Sequence, residues 1–347
     1  MAAVVSPSPS KFHARNTRST PLIPAGRDER YVAGKALRRR VARELHGDWT
    51  PARNRRDPVE LLIQSSEGRI PELIPIRYGR MMISPFIFYR GTANIMALDL
   101  APAPVSGLQA QLWGDAHLMN FGCFATPERR LILDINVDET LPGPWEWDVK
   151  RLATSIVFAV CSNGLSAADQ REAALACVLS YREHMAEYGD IDMSVLEIWY
   201  ARLQLSDTLW SFHDKTARGF LKKQIQKAQV PTVREHKFSV VAKSHGDAYV
   251  IKDLPPLIFH HPHIDASRVN LEHGSDLYRQ SLPAERRMQL DRYRLMDFAL
   301  KVVGAGSVGT LCAVALLMAA KDDPLFLQIK EAGPSVFGDL SWHEHLR

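Results

Sequence analysis

A glycine-rich hexapeptide late in the chain limits most strongly the folds that this sequence can adopt. Residues 304–309 read G-A-G-S-V-G, which matches the spacing G-x-G-x-x-G. In a dinucleotide-binding fold this spacing lies between a strand and a helix, inside a unit of roughly 30 residues. Of the 347 residues, 38 follow Gly309, which leaves little room for such a domain. Asp322 and Asp323 supply the acidic residues that keep the dinucleotide interpretation open.

The residues after the glycines favour a different arrangement, in which a loop joins two strands. An apolar run covers Thr310–Leu317, a polar turn covers residues 321–324, and a second strand-like run ends at Lys330. A glycine loop between two strands, followed by a strand that carries a lysine, covers the nucleotide phosphates in protein kinases. A glycine-softened hairpin with an exposed lysine is the simpler alternative, and it stays open.

A second polar segment lies between two strand-like runs near the middle of the chain. Residues 114–120 read G-D-A-H-L-M-N. In phosphoryl transfer, Asp115 could act as a base toward a hydroxyl, while Asn120 and a later aspartate hold Mg²⁺. The alternative is that Asp115, His117 and Asn120 only satisfy backbone groups in a tight loop.

Candidate metal ligands follow this segment. Asp134 ends the second strand-like run, and Asp138 lies in the segment after it. Magnesium prefers carboxylate and amide oxygens, so Asn120 with Asp134 or Asp138 forms a candidate Mg²⁺ site. Asp148 opens the next helical pattern, and we expect it to brace the loop around Asp115.

Composition excludes a membrane-spanning protein. Hydrophobic residues make up 46% of the chain, as in an ordinary globular protein. The longest apolar run, Thr310–Ala320, is much shorter than the roughly 18 to 20 residues that a membrane-spanning helix needs. The start of the chain lacks the pattern of a secretory signal, so we expect a cytoplasmic protein.

The first 56 residues are basic, with 13 Lys and Arg against 4 Asp and Glu. A Ser- and Pro-rich start with little apolar content predicts a disordered basic tail over residues 1–32. Arg38–Arg43 fits the solvated face of a short helix. Nucleic acid binding, which depends on neutralising phosphates, is therefore not expected.

The spacing of apolar residues predicts most of the remaining elements. Helices are expected at 58–67, from 146 onward, from a capping box at 166–169 to about 188, at 193–203, at 206–228 and at 283–301, with a hairpin over 238–251.

Three arginines, Arg77, Arg80 and Arg90, lie among apolar neighbours in the segment Ile74–Leu100. They are either ion-paired residues at the edge of a core or an anion site. The ion-paired interpretation is favoured.

Several segments together resemble a bacterial family known as domain of unknown function 2252, over residues 33–337. That family is similar to protein-kinase-like folds, particularly the aminoglycoside phosphotransferase branch, whose catalytic loop also reads G-D-x-H-x-x-N. The matching segments are 76–81 (IRYGRM), 84–86 (SPF), 88–91 (FYRG), 114–122 (GDAHLMNFG), 138–148 (DETLPGPWEWD), 304–309 and 325–332.

The resemblance implies an α+β fold of the protein-kinase-like type, with a helical lobe and a small β lobe. Relative to that fold, the order of the motifs along the chain is circularly permuted, because the glycine loop and the lysine follow the catalytic loop. The resemblance also implies an ATP- and Mg²⁺-dependent phosphotransferase that acts on a hydroxyl of an unknown acceptor. The implied site residues are Asp115 and His117 in catalysis, Asn120, Asp134 and Asp138 at the metal, and Gly304, Gly306, Gly309 and Lys330 at the nucleotide.

The same resemblance divides the chain into regions. A single domain is expected over residues 33–337, with a divergent tail at 338–347. Within the domain, the catalytic loop region is expected at 107–165, a helical region at 166–230 and a β and glycine-loop region at 237–337.

Two departures from the family favour a protein without turnover. The run Asn136–Glu139 is one aspartate shorter than the family pattern, and family members continue beyond the lysine strand, where kinase-like folds place the partner of the lysine. One alternative is therefore a non-catalytic protein that binds a nucleotide or a partner. Another is a metal-dependent phosphoesterase that uses Asp115, His117 and Asp138. The sequence does not predict an oligomeric state.

Overall fold

The structure, a computed structural model, describes residues 26–125, 131–135, 141–190, 203–204, isolated positions within 215–225, and then 242–245, 248–320, 323–333 and 335–338. The chain divides into two compact units, residues 1–48 and 49–347. In the first unit, helix α1 spans Arg27–Ala36 and is followed by single 3₁₀ turns at Leu37–Arg39 and Arg43–His46.

Helix α1 begins earlier than residue 33, where the sequence places the start of the ordered chain. The backbone N–H of Gly26 donates a hydrogen bond to the Glu29 carboxylate over 3.1 Å, and Asp28 adds a second acidic side chain to the first turn. Acidic side chains stabilise the positive N-terminal end of a helix. Residues 27–32 are therefore helical, and the predicted tail up to residue 25 lies outside the described part of the chain.

Helices of the second unit lie mainly before and after the polar segment around Asp115. Their bounds are α2 Pro58–Gln64, α3 Ile74–Met81, α4 Pro85–Arg90, α5 Ala93–Leu100, α6 Trp145–Ser162, α7 Ala167–Asp190, α8 Pro262–Ser281 and α9 Ala284–Leu290. Among the described residues, no helix combines the length and the apolar character needed to cross a bilayer.

Local signals determine where several of these helices begin. Asp57 caps α2 by accepting a hydrogen bond from the backbone N–H of Val59 over 2.7 Å, and proline occupies the first helical position. At α7, the N–H of Ser166 donates to Asp169 over 2.9 Å, and the N–H of Asp169 donates back to the Ser166 hydroxyl over 3.2 Å. The predicted capping box is therefore confirmed, as are the helices at α2, α6 and α7.

Strands of the second unit form small antiparallel sheets. The bounds are β1 Gln109–Gln111, β2 Phe121–Ala125, β3 Leu131–Ile135, β4 Pro142–Pro144, β5 Leu203–Gln204, β6 Ala242–His245, β7 Ala248–Ile251, β8 Ile258–Phe259, β9 Arg294–Lys301, β10 Cys312–Ala320 and β11 Asp323–Lys330. The largest sheet has the order β11-β10-β9-β8, a second has the order β2-β3-β5, and the pairs β1-β4 and β6-β7 complete the set.

Strand β10 is the centre of the largest hydrophobic core. Ala313 and Ala315 pack in one cluster with Ile70 and Leu271, while Leu316 on the other face packs with Ile251 of β7. Burial of both faces explains why Thr310–Ala320 reads as a continuous apolar run instead of an alternating one. The run is a strand, consistent with its being too short to span a membrane.

The helix predicted over residues 283–301 is wrong in its second half. Helix α9 ends at Leu290, and β9 starts at Arg294. Phe298 and Leu300 face one apolar cluster, and Ala299 faces the other. Because both faces of β9 are buried, its sequence lacks the alternation that would have indicated a strand.

A hairpin is present within the predicted range of residues 238–251. Ala242–His245 pairs with Ala248–Ile251, while residues 238–241 lie outside the described part of the chain. Most of the helices predicted at 193–203 and 206–228 also lie outside it. Leu203 belongs to β5, which pairs with Leu133 of β3.

Candidate functional site

The polar segment Gly114–Asn120 is held in place by the first turn of α6. The Asp148 carboxylate accepts hydrogen bonds from the backbone N–H of Trp113 over 2.6 Å and of Gly114 over 2.9 Å. Gly114 has a φ of +84°, in the left-handed region that favours glycine. Burial raises the pKa of Asp148, and the two backbone hydrogen bonds oppose that rise. The prediction that Asp148 braces this loop is confirmed.

The carboxylate of Asp115 lies between two nitrogen-bearing side chains. Arg151 Nε is 3.0 Å from Asp115 Oδ1, Arg151 Nη2 also bonds that oxygen, and His117 Nε2 is 3.4 Å from Oδ2. Burial raises the pKa of Asp115, but the hydrogen bond with His117 and the charge of Arg151 outweigh it and leave the pKa below its usual range. Asp115 is therefore a carboxylate at neutral pH.

Asn120 and His117 complete the loop. The Asn120 side-chain amide donates to the backbone carbonyl of Asp115 over 3.0 Å, which directs its amide nitrogen into the loop. The N–H of Leu118 donates to the Ser155 hydroxyl of α6 over 3.1 Å. His117 is buried, and within the described part of the chain its Nδ1 has no hydrogen-bond partner. The structure thus brings Asp115, His117 and Asn120 together, as predicted.

Arg151 is a site residue that the sequence interpretation missed. It is 2% exposed, its Nη2 donates to the Tyr89 carbonyl over 3.1 Å, and its guanidinium carbon lies 4.4 Å from the centre of the Tyr89 ring. One signal was available in the sequence. Asp148, Arg151 and Ser155 are spaced by three and four residues, so they form a polar stripe along one face of the helix.

The predicted metal ligands are only partly placed by the structure. Asp134 lies on β3 opposite Gly122, with an exposed side chain that accepts the N–H of Ile135 over 2.8 Å. Asp138 lies outside the described residues. Within the described ranges, no three His, Cys, Asp or Glu side chains are grouped closely enough to hold a metal ion.

The glycine hexapeptide joins β9 to β10, two antiparallel strands of one sheet. Gly304 and Gly309 have φ values of +65° and +90°. This arrangement confirms the loop between two strands and rules out the dinucleotide interpretation, which requires a helix after the glycines. Lys330 pairs with Cys312 at the start of β10, so it lies at the same end of the sheet as the loop, and it is exposed.

Two arginines bind the carbonyl groups of the glycine loop. Arg69 Nη1 donates to the carbonyls of Gly306 over 2.8 Å and Val308 over 2.7 Å. Arg80 Nη1 donates to the carbonyl of Gly304 over 2.8 Å. The loop therefore packs on the segment that precedes and contains α3.

Arg77 is 1% exposed and donates to the hydroxyls of Ser66 over 2.8 Å and Ser65 over 2.9 Å. Hydroxyl oxygens thus bind Arg77, and a carbonyl oxygen binds Arg80. These partners replace the carboxylates that the ion-paired interpretation requires. Within the described part of the chain, that interpretation is wrong for both residues.

The end of helix α4 lies between the two motifs. The Tyr89 carbonyl accepts the hydrogen bond from Arg151, which in turn holds Asp115. On the other side, a Cβ added to Gly306 would lie 3.2 Å from the Arg90 carbonyl oxygen. Two motifs that are far apart in sequence therefore approach neighbouring peptide groups of one helix end, the Asp115 loop through Arg151 and the glycine loop directly.

The fold and the site define an α+β protein in which a glycine loop and an aspartate–asparagine loop flank one helix end. A family model described as an uncharacterised protein conserved in bacteria (DUF2252) matches residues 69–344, and the chain belongs to this family. The predicted family is therefore confirmed. Comparisons with curated proteins and with solved structures found no match.

Proposed function

We propose that this protein is an ATP- and Mg²⁺-dependent phosphotransferase that acts on a hydroxyl group of its acceptor. The observation that carries the proposal is that both motifs approach the end of α4, the glycine loop directly and the Asp115 loop through Arg151. Phosphoryl transfer depends mainly on positioning and on charge, so it needs a loop over the phosphates beside a carboxylate that orients the nucleophile. Gly304–Gly309 and Asp115 supply these two parts.

Asp115 orients the acceptor and takes its proton. The acceptor oxygen attacks the γ-phosphorus, the bond between that phosphorus and the β–γ bridging oxygen breaks, and ADP leaves. The hydroxyl proton passes to Asp115 and then to solvent. The low pKa of Asp115 makes it a weak base, which suits a loose transition state in which the hydroxyl keeps its proton until late. Arg151 and His117 hold the carboxylate in orientation.

The oxygen donors of the loop suit a magnesium ion. The amide nitrogen of Asn120 is bound to the Asp115 carbonyl, which leaves the amide oxygen as the donor that Mg²⁺ prefers. Asp134 or Asp138 would supply a carboxylate. When bound, the ion would neutralise charge on the β- and γ-phosphates.

The nucleotide would lie against the glycine loop. Gly304, Gly306 and Gly309 let the backbone approach the phosphates closely. Lys330, at the same end of the sheet, would supply a positive charge to them. The fold proposed for this function is the kinase-like one in permuted order, in a cytoplasmic protein.

One observation favours a second function, nucleotide binding without turnover. The buried Arg151 already occupies one oxygen of Asp115, so the carboxylate has fewer positions left to accept an acceptor hydroxyl. No contact among the described residues favours the phosphoesterase alternative.

Calorimetry of ATP binding with and without Mg²⁺, together with release of phosphate from ATP, separates the two functions. Water serves as acceptor because the natural acceptor is unidentified. A phosphotransferase should bind ATP in the presence of Mg²⁺, and Asp115→Asn should keep binding while phosphate release falls by about 10² or more. Asp276→Asn, an exposed aspartate of α8, is the matched control and should behave as the unchanged protein.

Circular dichroism of each variant establishes that it is folded. Asn120→Ala leaves the Asp115 ion pair in place and should weaken the dependence on Mg²⁺. ATP binding with no phosphate release from the unchanged protein would favour the binding function. Failure of the folded protein to bind ATP would refute both.

A further inference from the structure

Several backbone carbonyls of the glycine loop point in the same direction, which the glycine content of the loop does not explain. Arg80 binds the carbonyl of Gly304, and Arg69 binds those of Gly306 and Val308. The Gly309 carbonyl accepts from the N–H of Ile70 over 2.8 Å. These four carbonyls therefore all face the segment that contains Arg69 and Arg80.

A trans peptide group holds its C=O and its N–H in opposite directions. Each carbonyl turned toward an arginine therefore sends the next N–H the other way, namely those of Ala305, Ser307 and Gly309. Within the described part of the chain, these three N–H groups have no hydrogen-bond acceptor. Ser307 is exposed. Backbone N–H groups on one side of a glycine-containing turn form a concavity that binds anions.

The charge beneath the loop also favours an anion. Arg69, Arg77 and Arg80 lie there, and within the described residues none of them forms an ion pair with a carboxylate. Burial, and then the neighbouring charge of Arg77, lower the pKa of Arg69 to about 10, while Glu331 acts in the opposite direction. Burying an uncompensated cation is unfavourable, and a bound anion would offset part of that cost.

We propose that Arg69 and Arg80 are positioning residues that hold the N–H groups of Ala305, Ser307 and Gly309 toward a polyphosphate chain. The proposal rests on the proposed function insofar as the polyphosphate belongs to a nucleotide. The cradle itself recognises phosphate oxygens and requires no nucleoside. Arg69 and Arg80 act through the orientation of the backbone and do not touch the ligand.

Binding of inorganic tripolyphosphate to the full chain, measured by calorimetry, tests the cradle without a nucleoside. Ser307→Pro removes the N–H at the exposed position, whereas the control Ser307→Ala removes only the hydroxyl. We expect Ser307→Ala to bind as the unchanged protein does, and Ser307→Pro to bind about tenfold more weakly, the loss of one charge-assisted hydrogen bond.

The arginines are tested through the same loop. Arg80→Gln and Arg69→Gln should each weaken tripolyphosphate binding severalfold, and Arg69→Gln should add less in the Ser307→Pro background, because Arg69 binds the carbonyl of the Gly306–Ser307 peptide group. If an arginine only stabilised the fold, its substitution would lower the melting temperature. Any effect of that substitution on tripolyphosphate binding would then be the same with and without the Ser307 N–H. Arg292→Gln, an exposed arginine beyond the opposite end of β9, controls for the loss of one positive charge.

The results separate the cradle from the phosphotransferase. Tripolyphosphate binding that depends on the Ser307 N–H, without transfer from ATP, would support the cradle and refute the enzyme. If Ser307→Pro turns over ATP with an unchanged KM, the phosphotransferase is supported and the cradle is refuted. The cradle is also refuted if the folded, unchanged protein does not bind tripolyphosphate. Should Ser307→Pro not fold, the two arginine variants decide, since normal binding by both overturns the proposal.

Discussion

Removing either partner of the buried ion pair between Asp115 and Arg151 should strongly destabilise the second unit. Arg151 bonds Asp115 through two nitrogens and the Tyr89 carbonyl through Nη2 over 3.1 Å. Replacing it with methionine keeps an unbranched side chain, removes these hydrogen bonds, and leaves the Asp115 carboxylate without its cation. Asp115→Asn has the converse effect and leaves the guanidinium buried without its anion.

The magnitude follows from how little water reaches the pair. Removing one partner of a buried pair costs about 3–5 kcal/mol, because the other charge stays buried. The Asp115 side chain is 19% exposed, so water reaches it to some extent, and the lower end of that range applies. The double variant removes both charges, so it should lose less than the sum of the single variants, by about 1.5–3 kcal/mol.

Urea denaturation followed by tryptophan fluorescence measures these free energies of unfolding. Arg55 and Asp99 form a control pair at 2.7 Å, with side chains 32% and 21% exposed, and their coupling should stay below about 1 kcal/mol. If the Asp115 and Arg151 variants add to within about 0.5 kcal/mol, the reasoning is refuted.

The pair also has a predictable dependence on pH. The pKa of Asp115 is lowered in the folded protein, so its contribution is fully present above the unfolded value of about 3.9. It is lost as the pH falls through the lower folded pKa. The stability difference between the unchanged protein and the double variant should therefore shrink in acid.

Three further predictions concern other parts of the second unit. Leu316→Ala, at a fully buried position of β10, should lower the free energy of unfolding by about 2–5 kcal/mol, whereas Leu175→Ala on the exposed side of α7 should stay within about 0.5 kcal/mol in the same urea assay. The pKa of His260 is lowered by burial but raised overall by two aspartates, at 2.8 Å from Nδ1 and 3.1 Å from Nε2. Its stabilisation should be complete below about pH 6.5 and disappear as the pH rises through the higher folded pKa, and a melting profile of His260→Gln that keeps this step would contradict the assignment. Gly309→Ala should lower the melting temperature, because φ is +90° and the new Cβ would lie 3.1 Å from a side-chain carbon of Arg69; an unchanged melting temperature would show that the loop adapts.

Short-range patterns predicted the local parts of the site. The brace by Asp148, the capping box at Ser166, and the strand, turn and lysine strand after the glycines each depend on a few neighbouring residues. Cap residues, turn residues and apolar runs indicate such features directly. The two strands after the glycine loop were therefore predicted, whereas the strand before it, β9, lies in a segment that was predicted as a helix.

Long-range partners were not readable in the same way. A pattern can indicate that Arg151 faces inward on α6, but it does not show that the loop it meets carries Asp115. Arg77 and Arg80 bind hydroxyl and carbonyl oxygens, which are present throughout any chain, so no sequence pattern marks them as partners. Only the packing of the helices against the loops determines these contacts.

The bond between Arg69 and the glycine loop has a consequence for the order of folding. Arg69 lies 237 and 239 residues before the two carbonyls that it binds. Such contacts form slowly, because the entropy of closing a large loop of chain must be overcome first. Strands β9, β10 and β11 are neighbours in sequence and can pair without that delay. The hairpins should therefore form before the loop between them acquires its final carbonyl orientation, and that orientation should be among the last features of the native state to appear.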